Sequence, residues 1–152
     1  MSASTSTPPS TAHAISAYGT SSRPSVRTVV ASLWLFATLN YIYCDVLGTH
    51  DPEYLRALLT GTIGGVEMSQ GFLLGASVLV SIPMASVLIS RIAGHRFARI
   101  SSIVAGAIMT TVQFATLFFG TTTIYYVYFS VIEIATTSLI VWIAATRWRE
   151  EH

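Results

Sequence analysis

Polar and apolar positions divide the chain into one polar tract and four long apolar runs. Residues 1–27 are rich in Ser, Thr and Pro and carry too little apolar surface to fold, which predicts a disordered tail. The tail lacks the apolar segment of a signal peptide, and the basic residues follow it instead of preceding it. The apolar runs predict helices over about 28–48, 70–93, 97–119 and 123–147. Each is about 20 residues or slightly longer, the length an α-helix needs to cross about 30 Å of hydrocarbon. None shows the polar stripe that a soluble helix of this length turns toward water. The expected fold is therefore all-α: an integral membrane four-helix bundle over 28–148, antiparallel and up-down-up-down, ending in a short segment at 149–152.

The connections differ in kind. "HDPEYLRALLT" reads as a short helix in the first outer loop, with Asp51 as N-cap, Pro52 at the first helical position and Glu53 in the first turn. Leu55, Leu58 and Leu59 share one face, so this helix is expected to lie at the membrane interface or to cover the mouth of the bundle. "GTIGG" reads as a flexible re-entry, "RIAGHRFAR" as a tight turn with Gly94 as a helix C-cap, and "GTTT" at 120–123 as a short turn. Tyr125, Tyr126 and Tyr128 at one end of the last span, with Trp142 and Trp148 at the other, are placed like interfacial anchors.

Composition sharpens this picture. The chain is 52% hydrophobic and 10% charged, far below the roughly 25% charge of soluble domains. All eight basic side chains are Arg, and seven of them (23, 27, 91, 96, 99, 147 and 149) fall on one side of the expected spans, leaving only Arg56 on the other. The positive-inside rule then places both termini in the cytoplasm of a cell (plasma) membrane protein. Four spans also require the termini to share a side. A net charge of +1 with no basic block gives no support for nucleic-acid binding, and the single Cys44 permits no intramolecular disulfide.

The polar residues inside the apolar runs are the candidate chemistry. Glu133 lies ten residues from Thr123 and thirteen from Thr146, where a carboxylate costs on the order of 3 kcal/mol. Burial favours the neutral carboxyl, and no other span offers a basic residue at that depth. Asn40 in the first span and Gln113 in the third are its expected hydrogen-bond partners. In "NYIYCD", residues 40 to 45, Asn40, Tyr41, Cys44 and Asp45 cover an arc of about 140° on a helical wheel. Glu133, Asn40, Tyr43, Asp45 and Gln113 form the candidate proton or binding site. Gly71 and Gly75 have the spacing for close helix approach, and Pro83 is expected to kink or loosen the second span.

No HExxH, GxGxxG or GxxxxGKS motif occurs, and His13, His50, His95 and His152 all fall in tails or loops. No catalytic residue, metal site or cofactor is expected. The stretches "LWLFATLNYIYCDVLG", "GFLLGASVLVSIPMASVLISRI", "RFARISSIVAG" and "YFSVIEIATTSLIVWIAATRW" resemble a family of small bacterial four-span membrane proteins catalogued only as a domain of unknown function. The resemblance runs from about Val29 to Trp148 and implies a four-helix membrane fold. It implies Asn40, Tyr43, Asp45, Pro83 and Glu133 as characteristic positions, and no activity.

Two readings of function follow. One is a proton-coupled transporter or permease component that uses Glu133. The alternative is a non-catalytic scaffold or accessory subunit whose buried polar groups hold the helices together. A water-accessible cavity joining Asp45, Asn40 and Glu133 favours the first, and a dry contact favours the second. The lipid bilayer is the expected partner, with a homodimer or another membrane subunit beside it.

Overall fold

The computed structural model describes residues 24–118 and 123–150. Most of the Ser/Thr/Pro-rich tail, the turn after the third span and the last two residues lie outside that set. The elements are α1 (Val26–Gly48), α2 (Pro52–Thr60), β1 (Thr62–Ile63), β2 (Val66–Glu67), α3 (Gln70–Ile92), α4 (His95–Thr116), α5 (Ile124–Ala145) and α6 (Arg147–Glu150). The fold is all-α apart from the two-residue strands. Four helices, α1, α3, α4 and α5, are long and apolar enough to cross a membrane.

Local chemistry sets the ends. Ser25 accepts from the Thr28 amide at 3.3 Å to start α1, Asp51 from the Glu53 amide at 3.0 Å to start α2, and Ser69 from the Phe72 amide at 3.2 Å to start α3. The connection read as flexible is an ordered hairpin. Gly64 and Gly65 both have positive φ, 57° and 83°, which is what a tight two-residue turn between β1 and β2 requires. Gly94 is also placed differently from its expected C-cap role. Its φ of −58° is not left-handed, and it precedes α4 as the N-cap residue while Ala93 ends α3.

The long helices pack in a ring: α1 against α3 and α5, and α4 against α3 and α5. Chain neighbours are therefore spatial neighbours, and the ring closes between α1 and α5. The apolar core sits in the half nearer the start of α1. It joins Val30 and Trp34 of α1 to Ala98, Ala105 and Met109 of α4, Ile140, Ile143 and Ala144 of α5, and Trp148 of α6. Trp148 was expected at a lipid interface and is instead fully buried, edge-on to His95 at a centroid distance of 5.8 Å. It reaches the core because α6 folds back from α5 toward α1. The tightest of the described glycines is Gly106 of α4, where a Cβ would lie 2.6 Å from Val141 Cγ2 and 3.3 Å from the Thr137 carbonyl of α5. By contrast, Gly71 and Gly75 face outward and nothing lies within 4 Å of a Cβ at Gly75. Pro83 is buried, and α3 runs through it unbroken.

Two arginines stitch the ring at the core end. Arg27 of α1 donates to the Ser90 carbonyl at 3.1 Å and to the Ala93 carbonyl, at the end of α3. Arg99 of α4 donates to Ala144 at 2.9 Å and to Ala145 at 3.2 Å, at the end of α5. In each case a cation near the start of one helix satisfies orphan carbonyls at the end of its neighbour. The outward faces carry Leu35, Phe36, Leu39, Leu74, Val78, Leu88, Ile108 and Val131, all exposed. A contiguous apolar exterior of this kind suits hydrocarbon, not water.

Candidate functional site

Away from the apolar core, the contact between α1 and α5 turns polar. Glu133, tenth of the 22 residues of α5, is only 1% exposed. Asn40 of α1 donates its Nδ2 to Glu133 Oε1 at 3.0 Å and to the Phe129 carbonyl at 3.2 Å. One amide therefore binds the carboxyl and a backbone oxygen one turn before it. Glu133 Oε2 is buried without a hydrogen-bond partner, as is the Tyr41 hydroxyl. In a fully matched packing contact both would be satisfied, because an unpaired buried polar atom is costly.

The surrounding polar groups extend this contact. Thr137 donates to the Glu133 carbonyl at 2.8 Å and its hydroxyl pairs with Thr110 of α4 at 2.7 Å. Gln113 of α4 donates to Ser130 at 2.8 Å, and Ser130 to the Tyr126 carbonyl at 2.8 Å. The Tyr126 hydroxyl, placed by its sequence position as an interfacial anchor, turns inward and donates to Thr116 at 2.8 Å. Ladders of this kind keep hydroxyls and amides satisfied where no water competes.

Among the titratable groups, Asp45 of α1 acts electrostatically on Glu133, and Glu133 in turn acts on Tyr41 and Cys44 of the same helix. The ionisable residues of α4 (His95, Arg96 and Arg99) all lie in its first five positions, at the opposite end of the helix. Glu133 thus has a protic and acidic neighbourhood with no cation among the described residues. Toward the loop end, Tyr54 of α2 folds back onto α1, its ring 3.1 Å from where a Cβ of Gly48 would lie, with the Tyr125 hydroxyl at 3.6 Å from the same point. Burial and then the nearby Asp45 hold the Tyr54 phenol above its ordinary pKa. Beside this end a groove between α1 and α5 is lined by Leu47, Thr123, Ile124, Tyr125, Tyr128 and Phe129. No group of three or more His, Cys, Asp or Glu side chains suited to a metal ion occurs among the described residues.

Residues 22–152 match the family described as "Family of unknown function (DUF6326)". The chain belongs to that family. No curated protein and no solved structure matches it. In this DUF6326 chain the structure brings together Asn40 and Glu133 from the sequence-read set. Gln113 is buried one turn away, on Ser130 and not on the carboxyl. Tyr43, 61% exposed, lies on the outward face of α1, and Asp45 is exposed, with no ion pair to Arg56 among the described residues. Two features lay outside the candidate site: Tyr41, which the helical wheel put on the polar face of α1 with Asn40 and whose buried hydroxyl is unpaired, and the Phe129 carbonyl, which shares the Asn40 amide and had no advance signal.

Proposed function

We propose that the protein is a small multi-pass component of a proton-coupled transporter or permease of the plasma membrane, with Glu133 as its proton-binding group. The observation that carries this reading is the pair of unpaired buried oxygens, Glu133 Oε2 and Tyr41 Oη, on the contact between α1 and α5. A carboxyl there has spare capacity to gain, lose or pass on a proton. Asp45 of α1, which acts electrostatically on Glu133, supplies a further acidic group. Both termini are assigned to the cytoplasm, because Arg27, Arg91, Arg96, Arg99 and Arg147 lie at one end of the long helices and Arg56 at the other. No reaction is assigned to the chain.

A second reading is the one that the dryness of this contact favours, since Asn40 and Glu133 are both buried against each other. The direct Asn40–Glu133 hydrogen bond at 3.0 Å, with the carboxyl 1% exposed, is the contact expected of an accessory subunit whose polar groups clasp two helices. Thermal stability of wild type, Glu133→Gln and Glu133→Ala in detergent, over about pH 5 to 9, separates the two. Under the proton-coupled reading, Gln keeps the fold and abolishes a pH dependence that wild type shows. If wild type and Gln coincide at every pH while Ala destabilises, the clasp reading replaces it.

A further inference from the structure

Where α1 begins and α3 ends, two arginines line one pocket. Its walls are Ser25, Arg27 and Thr28 of the α1 start and Arg91 in the last turn of α3, and its volume is about 220 Å³. Sites for drug-sized molecules run to roughly 300–1,000 Å³, so this one suits a single small charged group. All four walls are polar: two guanidinium groups and two hydroxyls.

Donors are in surplus there. Arg27 spends its Nε on the Ser90 carbonyl and one Nη2 hydrogen on the Ala93 carbonyl, which leaves Nη1 and the rest of Nη2. Arg91 is exposed and makes no hydrogen bond or ion pair among the described residues. Ser25 Oγ and Thr28 Oγ1 share one hydrogen bond at 2.9 Å, so one of their two protons remains for an acceptor. Neither α1 before Asp45 nor α3 carries an acidic residue, and no carboxylate on these helices neutralises the pair. Carbonyls at the end of α3 repel an anion, but Arg27 covers two of them. What fits is a group with several charged oxygens, and a phosphate matches guanidinium donors best.

The face of α3 beside Arg91 says what carries the phosphate. Met84 and Leu88 share a side of the helix with Arg91 and are 54% and 62% exposed, while Ile92 next to it is 80% exposed. Of the four membrane-length helices, α3 is the least covered by the rest of the protein. Hydrocarbon lies against such a face, so a phosphate held at Arg91 is continuous with acyl chains along Leu88 and Met84. We propose that this pocket binds the phosphate of an anionic phospholipid headgroup, with Arg91 and the unused N–H groups of Arg27 as its donors. Basic pockets between spanning helices are suited to such headgroups. The site is separate from Glu133 and stands whichever way that residue acts.

The test is native mass spectrometry of the full chain released from mixed micelles holding equal amounts of phosphatidylglycerol and phosphatidylcholine. Both lipids carry a phosphate, but only the first has a net negative headgroup. The expected result is preferential retention of phosphatidylglycerol by wild type. Arg91→Gln lowers that preference about fivefold, and Arg91→Lys, which keeps the charge, loses less. Arg96→Gln, exposed and outside the pocket, leaves it unchanged. Arg91→Gln melts with wild type in neutral detergent free of lipid, because Arg91 has no hydrogen bond there to lose; a clearly lower melting temperature would make Arg91 a structural residue and overturn the proposal. Equal retention of the two lipids overturns it, as does an equal loss in Arg91→Gln and Arg96→Gln, which is the mark of a basic rim without a pocket. Release of the bound lipid by millimolar inorganic phosphate gives the pocket to a free ion and overturns the lipid as its occupant.

Discussion

Asn40 and Glu133, 93 positions apart in the chain, meet through a 3.0 Å hydrogen bond that ties the first long helix to the last. The bond uses one carboxyl oxygen and leaves the other buried and unmatched. That asymmetry separates two kinds of contribution. The matched half holds α1 to α5, and the unmatched half gives the contact a capacity that packing does not use.

The first prediction concerns the matched half. Asn40→Ala removes the only donor to the carboxyl seen among the described residues and should destabilise the fold by about 1–3 kcal/mol. Replacing both partners by apolar groups of similar size, Asn40→Leu with Glu133→Met, should come within about 1 kcal/mol of wild type. Detergent unfolding of the two single variants and the double variant gives the coupling directly. Strict additivity would show that the two side chains do not interact.

A second prediction sets two glycines against each other. Gly106→Ala drives a Cβ into Val141 and the Thr137 carbonyl, and overpacking of this kind costs about 1–3 kcal/mol. Gly75→Ala meets nothing within 4 Å, so it should leave stability unchanged or raise it by about 0.5–1 kcal/mol through better helix propensity. Melting temperatures of the two variants in the same detergent decide the matter.

The third concerns the arginines. Arg27→Gln and Arg99→Gln each strip donors from the carbonyls that end a neighbouring helix and should each cost about 1–3 kcal/mol. Their acceptors are backbone carbonyls and not carboxylates, so the loss should change little with added salt. Lysine should restore only part of it, since a single ammonium lacks the planar fork that reaches two carbonyls. Denaturation at low and high salt tests both statements.

Four spans were legible from sequence because apolar runs of bilayer length leave the chain few alternatives. Caps at Ser25, Asp51 and Ser69 follow rules of local spacing and were within reach for the same reason; Asp51 was read directly. What the sequence left open depends on rotation and register. Both Asn40 and Gln113 stood at a suitable depth to meet Glu133, and only packing decides that Gln113 turns to Ser130. Small-residue spacing pointed to Gly71 and Gly75, whereas the close approach falls on Gly106, because the face of α4 carrying Gly106 is the one turned toward α5. The arginine caps and the return of Trp148 into the core are likewise tertiary, and no local pattern announces them.

A fourth prediction uses Tyr54, which lies over the loop end of the ring. Burial raises its phenol, with Asp45 acting in the same direction, so the folded state favours the neutral form. The stability this contributes is fully present below the ordinary tyrosine range near pH 10 and is lost as pH rises through the higher folded value. Tyr54→Phe should therefore match wild type near neutrality and resist alkaline unfolding better. An identical alkaline limb in both proteins would place Tyr54 in water instead.

The central claim is that Glu133 binds and releases a proton in the folded protein. Infrared difference spectra of the full chain in lipid, recorded across about pH 5 to 9 for wild type and Glu133→Gln, test it most directly. The account predicts a carboxylic-acid carbonyl band in wild type that gives way to carboxylate within that range and is missing from the Gln variant. Spectra of wild type that show no such conversion and match those of the variant would contradict it.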